Sequence, residues 1–120
     1  MPIVYPPCVV MESPFSGDVE LNRLYAQLCI RDIIDRGESP YASHLLLPPV
    51  LAYHSKTSRQ QGISLGFAWG RKADCCAVYT DLGITDGMIR GIANAESKGI
   101  EVVRRQLGNM TWLKSYRHRL

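Results

Sequence analysis

The sequence predicts an α/β protein in which a parallel sheet carries helices on both faces. Three observations point to it. Short apolar runs rich in β-branched residues alternate with longer segments of helical period. The joins between them are short and marked by Gly, Pro, Ser and Asp. A β-α-β-α-β-α-β order with such joins needs crossover helices, and these cover a parallel sheet from both sides.

Each element has a local cause. Cys8–Glu12 is a short apolar run after Pro6-Pro7 and reads as a buried strand. Ser13–Asp18 is a turn cluster. The next segment, Val19 to Arg36, places Leu21, Leu24, Tyr25, Leu28 and Ile33 on one helical face, with Asp18 as N-cap and Gly37 as C-cap. Ser39–Ser43 predicts a second strand, running into an apolar loop from His44 to Pro49. A second helix is expected over Thr57–Arg71, where Gly62, Gly66 and Gly70 recur every fourth residue and imply close helix packing. Trp69 is assigned to the core or to an interface. Asp74–Tyr79 is the third strand and Thr80–Ile84 its exit loop. Thr85 caps a helix over Asp86–Lys98, Gly99 ends it, and Ile100–Val103 is the fourth strand.

The 120 residues suffice for one domain with its own core, and no segment approaches the ~20 apolar residues of a membrane span. The start, Met1–Pro7, lacks the basic and apolar regions of a signal peptide, so a cytoplasmic location is expected. The four cysteines form no C-x-x-C pair and have no His at zinc-ligand spacing. Buried free thiols are expected, with no metal and no cofactor. Adjacent Cys75 and Cys76 would point to opposite faces of a strand. The net charge of +3 is concentrated in Arg104, Arg105, Lys114, Arg117 and Arg119, which argues against a nucleic-acid-coating surface over the whole domain. The domain is expected over 1–108, followed by a basic tail over 109–120.

Ligands of open α/β sheets bind beyond the carboxyl ends of the strands. Three loops leave such ends here. Ser13–Asp18 offers hydroxyls and a glycine at a helix start, which suits an anion or a sugar, and reads equally as a capped turn. The second loop carries His44. The third, Asp81–Gly87, has two carboxylates, two glycines and a helix start, and also reads as a capped turn.

Four segments, in order, resemble the nucleoside 2-deoxyribosyltransferase-like proteins and their small phage and bacterial relatives. They are Ser13-Pro-Phe-Ser-Gly-Asp-Val-Glu-Leu-Asn22, Pro40-Tyr-Ala-Ser-His-Leu-Leu-Leu-Pro48, Gly62-Ile-Ser-Leu-Gly66, and Ile84-Thr-Asp-Gly-Met-Ile-Arg-Gly91 running on to Ile100. The resemblance implies a flavodoxin-like three-layer sandwich with about four to five parallel strands. It implies cleavage or exchange of N-glycosidic bonds, in which a Glu attacks the anomeric carbon. Ligand contacts are expected at Ser13, Pro14, Phe15, Ser16, Gly17, Asp18, Asn22, His44, Asp81, Asp86, Gly87, Met88 and Gly91, of which the resemblance carries Ser13, Ser16, Gly17, Asp18, Asn22, His44, Asp86, Gly87 and Met88. The nucleophile is expected one helical turn after Gly87, where this chain has Gly91. Glu96 points away from that face. Glu12, at the end of the first strand, is the nearby carboxylate whose position compensates.

A glycine cannot be a nucleophile. The leading expectation is therefore non-catalytic binding and sequestration of a nucleotide derivative of ADP-ribose or cyclic type, for which the resemblance implies a phage anti-defence setting. The alternative is an N-glycosidase or deoxyribosyltransferase with a modified site using Glu12 or Asp86. A third reading is an adaptor acting through the basic tail. A homo-oligomer with shared pockets is also expected, through Tyr53, Trp112, Leu113 and Tyr116, with Arg117 or Arg119 reaching a neighbour's ligand.

Overall fold

The computed structural model describes residues 3–51, 55–108 and 111. Nine elements follow in order: β1 (Cys8–Glu12), α1 (Val19–Asp35), β2 (Ser39–Tyr41), α2 (Ser43–Leu46), α3 (Pro48–Leu51), α4 (Lys56–Gly70), β3 (Cys75–Tyr79), α5 (Asp86–Ser97) and β4 (Glu101–Arg105). The four strands form one parallel sheet in the order β2-β1-β3-β4. The predicted α/β class is what forms.

The order makes β1 the pivot. From β1 the chain crosses outward to β2, then returns across β1 to β3. That reversal between β1 and β3 is the switch point at which open α/β sheets hold ligands. Strand alternation divides the core accordingly. Val9 and Met11 of β1, with Ala77 and Tyr79 of β3, face Tyr25, Ala26, Cys29 and Ile33 of α1. Val10, Cys76 and Val78 face the opposite way, toward Met88 and Ala95 of α5. Cys75 and Cys76 do fall on opposite faces of the sheet.

The helix ends are chemically marked. The Asp18 carboxylate accepts the Leu21 N–H at 3.1 Å and Thr85 Oγ1 accepts that of Met88 at 3.3 Å. Gly37 follows α1 at φ +78° and receives the reversal of the chain there. The edge strands resist further pairing. β2 has only three residues and contains Pro40, and β4 carries Glu101, Arg104 and Arg105.

Several boundaries differ from expectation. The second strand stops at Tyr41, and the stretch His44–Pro49 is not a loop. Ser43 starts a short helix, and Pro48 opens another, because proline is tolerated in a first turn. The fourth strand runs to Arg105 rather than Val103, since β3 offers it a register partner as far as Tyr79. Cys8, expected to be buried, is exposed at the sheet's lower end. Trp69 is not in the core: it is 60% exposed, with its ring 6.0 Å from that of Tyr41. Tyr53, Lys114 and the tail residues Trp112, Leu113, Tyr116, Arg117 and Arg119 lie outside the described residues. Among the described residues, no helix is long and apolar enough to cross a membrane.

The glycine stripe on α4 does mark close packing. A Cβ on Gly66 would come within 2.7 Å of both Ser43 Cβ and Oγ, and one on Gly70 within 3.3 Å of Asn94 Nδ2. Gly66→Ala should therefore destabilise the chain. Its helix-propensity gain of about 1 kcal/mol is outweighed by an overpacking cost of ~1–3 kcal/mol. A lowered denaturant midpoint is expected, and a midpoint at or above that of the parent chain would refute the close α2–α4 contact.

Candidate functional site

Alternation along β1 also decides where Glu12 goes. It shares the face of Val10, so its side chain leaves the top of the sheet toward α4 and α5. There it meets Gly91. A Cβ built on Gly91 would fall 2.5 Å from both Cδ and Oε1 of Glu12. The carboxyl group thus fills the space that any side chain at position 91 would need.

Around this contact lies a cavity of about 580 Å³. Glu12, Ser13, Phe15 and Ser16 come to it from the end of β1 and the loop that follows. His44 comes from α2. Asp86, Gly87, Met88 and Gly91 come from α5. The three segments expected to meet are brought together here.

Other expected contacts are used elsewhere. Asn22 is buried and donates from Nδ2 to the carbonyls of Phe15 (3.1 Å) and Ser16 (3.0 Å), fixing the shape of the first loop. Gly17 supplies the φ of +106° that this turn requires. Asp18 caps α1 and does not line the cavity. Pro14 and Asn22 instead line a smaller neighbouring space of about 160 Å³, which Phe15 and His44 share. Asp81 belongs to the other side of the sheet. It accepts from Tyr25 Oη at 2.6 Å and from the Leu107 and Gly108 amides, tying the chain after β4 to α1.

Residues outside the three expected loops also form walls. Gly62, Gly66, Gly70 and Phe67 line the α4 side, and Ser43 and Asn94 stand beside them. Arg59 of α4 and Arg90 of α5 complete the lining. The spacing of the three glycines was a signal for a small-residue face, but helix packing alone accounted for it. Nothing in the local sequence ties Arg59 or Arg90 to a cavity.

Burial controls the site's protonation. Among the described residues the Glu12 carboxyl has no hydrogen-bond partner, and desolvation raises its pKa from 4.5 to about 8. It is neutral near pH 7. Desolvation also lowers the pKa of His44, from 6.5 to about 4. The neutral imidazole lies with Nε2 2.7 Å from the buried Ser13 Oγ, so either atom donates according to the tautomer. This pair clamps α2 to the end of β1. Among the described residues, no cluster of three His, Cys, Asp or Glu side chains is arranged to hold a metal ion.

A family model described as a domain of unknown function (DUF7768) matches residues 7–105, and the chain belongs to that family. No curated protein sequence matches it. Solved structures that resemble it include the following two. One is a 2-deoxyribosyltransferase from Bacillus psychrosaccharolyticus, at 17% identity over 89% of this chain and 78% of that one, with a TM-score of 0.62. The other is a CMP N-glycosidase from Clostridium botulinum, at 12% identity over 93% and 80%, with a TM-score of 0.50. The chain thus has the 2-deoxyribosyltransferase-like fold.

The two shifted groups oppose each other in stability. Folded Glu12 keeps its proton from pH 4.5, where the unfolded chain loses it, up to about 8, so stability falls as pH rises through that range. His44 acts in reverse. The folded chain has already lost that proton at about 4, the unfolded chain keeps it up to 6.5, and stability rises with pH between them. From 4.5 to 6.5 the slopes offset, and above 6.5 Glu12 acts alone. Thermal unfolding should show a Tm that changes little over the lower range and declines from about pH 6.5 toward about 8. Glu12→Gln should abolish that decline, and a decline of equal size in the variant would show that Glu12 is not its source.

Proposed function

We propose that this DUF7768 domain binds a nucleoside-type small molecule in the Glu12–Gly91 cavity and, near neutral pH, holds it without cleaving it. The observation that carries the reading is the carboxyl group of Glu12 standing in the space over Gly91. The cavity volume is in the range of small-molecule sites. Phe15 and Phe67 offer aromatic faces to a base. The neutral Glu12 carboxyl both donates and accepts, which suits the vicinal hydroxyls of a sugar. The fold supports the ligand class, since two similar structures are named for a deoxyribosyltransferase and for a CMP N-glycosidase.

Retention follows from charge. Glycosyl transfer through a covalent intermediate needs an ionised carboxylate to attack the anomeric carbon. Position 91 has no side chain, and Glu12 is protonated near neutral pH. Held this way, the ligand is sequestered, as a nucleotide-derived signal would be. One observation favours a second reading. Glu12 is the carboxyl on the helix face where a nucleophile would stand, so ionisation above about 8 would equip the site for cleavage.

Calorimetry with the common nucleosides and their monophosphates, together with chromatography for released base, tests both readings. Saturable binding without base release near neutral pH is expected. Glu12→Gln should keep affinity within about threefold, since an amide reproduces the hydrogen bonds of a neutral carboxyl. Gly91→Ala should displace the Glu12 carboxyl and weaken binding by about tenfold or more. The proposal fails if none of these ligands binds. Base release near neutral pH that disappears in Glu12→Gln would replace retention with turnover.

A further inference from the structure

We infer that Ser13 and His44 form a reactive centre on the wall of this cavity, a nucleophile and its base suited to acyl transfer from a small ester to water. The inference goes beyond the reading above and does not rest on it, since it concerns an ester and not a glycosidic bond. The observation that carries it is the 2.7 Å hydrogen bond between Ser13 Oγ and His44 Nε2, joining two side chains that both line the cavity. A hydroxyl within hydrogen-bond reach of an imidazole is the pairing that nucleophilic catalysis needs.

The fold makes this pair from distant parts of the sequence. Ser13 directly follows β1, at the carboxyl edge of the sheet, where open α/β sheets place their chemistry. His44 lies in α2, just beyond the end of β2, the strand beside β1. Among the described residues, no other group hydrogen-bonds the Ser13 hydroxyl or the His44 ring. With the ring proton on Nδ1, the Nε2 lone pair meets the hydroxyl. Burial keeps the imidazole neutral near pH 7, the state in which it accepts a proton.

Two adjoining spaces fit the two halves of an ester. His44 and Phe15 line both the main cavity and the neighbouring space of about 160 Å³. Val19, Leu45, Pro48 and Pro49 give the smaller space apolar walls. Glu20 and Arg23, also on its lining, pair with each other at 2.6 Å. A space of this size takes an apolar group of about six carbon atoms. It receives the acyl chain, the main cavity receives the alcohol, and the carbonyl carbon lies where the two spaces share His44.

Each step balances. Ser13 Oγ bonds to the carbonyl carbon, and its proton passes to His44 Nε2. The ester C–O bond then breaks, and Nε2 gives that proton to the departing alcohol. Water attacks the acyl-serine and passes a proton to Nε2. That proton returns to Ser13 Oγ as the carboxylic acid leaves. Glu12, protonated near neutral pH, is an O–H donor on the same lining for the oxyanion of both steps.

A fluorophosphonate and a series of p-nitrophenyl esters test the assignment on the full chain, with no nucleoside present. The fluorophosphonate should add once, and peptide mass spectrometry should place the adduct on Ser13. A hydrogen bond that only holds α2 in place would leave that serine unlabelled. The butyrate ester should be hydrolysed faster than the decanoate, whose chain exceeds the smaller space. Ser13→Ala and His44→Gln should each lower the butyrate rate by about a hundredfold or more. Circular dichroism checks that both variants fold, and the adduct on the parent chain is read without either. No adduct on Ser13, or butyrate hydrolysis that persists in a folded variant, would overturn the reactive centre. Equal rates for butyrate and decanoate would overturn the seating of the acyl chain.

Discussion

One shared volume governs this molecule: the space over Gly91 holds the carboxyl group of Glu12. Neither residue can be understood alone. With any larger residue at position 91, the Cβ would collide with the Glu12 carboxyl, and that group would have to move out of the space. With a shorter residue at position 12, the top of α5 would face an emptier pocket. The period of two along β1 sets the pairing, because it sends Glu12 to the α5 side together with Val10. A shift of one residue in strand register would turn Glu12 toward α1 and its apolar core.

The two faces of the sheet are built to different ends. On the α1 face the polar groups are spent on one another. Tyr79 Oη donates to Asp32 at 2.6 Å, Arg105 grips Glu38 with two bonds of 2.7 and 2.8 Å, and Asp81 holds Tyr25 and the chain after β4. The Glu38 and Asp81 carboxyls are held below their usual range, by the Arg105 guanidinium in one case and by the Tyr25 hydroxyl and backbone amides in the other. Such satisfied networks fix a structure and leave nothing for a ligand. On the α4–α5 face the glycines of α4 bring backbone close to Ser43 and Asn94, and the Glu12 carboxyl goes without a partner among the described residues. A buried polar group in that state costs the fold stability, unlike the satisfied groups of the α1 face.

The chemistry legible in the sequence was that of short range. Caps and turns are local, so Asp18, Thr85, Gly37 and Gly99 could be placed from their neighbours alone. Strand and helix period placed Val9, Met11, Tyr25 and Met88 in the core. Two other features depend on tertiary contact. The strand after Ser39 was overrun to Ser43 because the residues that follow are apolar, and only the contact of Ser43 with Gly66 and the Ser13–His44 bond favour a helix there. Asp81 looked like a ligand group because its loop leaves a strand end. Its partners, Tyr25 and Leu107, are 56 and 26 residues away, and no local pattern announces them. Arg59 and Arg90 could not be assigned to one cavity for the same reason: the helices that carry them line it together only in the folded chain.

The position and the protonation of Glu12 pull in opposite directions, and that opposition defines the site. Its position puts a carboxyl on the helix face where a glycosyl-transferring nucleophile is expected. Its burial keeps that carboxyl protonated near neutral pH, which removes the nucleophile while leaving a hydrogen-bonding group. A ligand can change this balance only by bringing positive charge or fresh hydrogen-bond donors to the carboxyl. A neutral sugar brings hydroxyls, which bond to either protonation state and favour ionisation little. A developing oxocarbenium ion would stabilise the anion strongly, but it forms only once the glycosidic bond has begun to break. The carboxyl must therefore be ionised in advance to assist that step, and burial opposes it. The same desolvation that makes Glu12 costly to the fold is what would let the cavity hold a glycosidic bond intact.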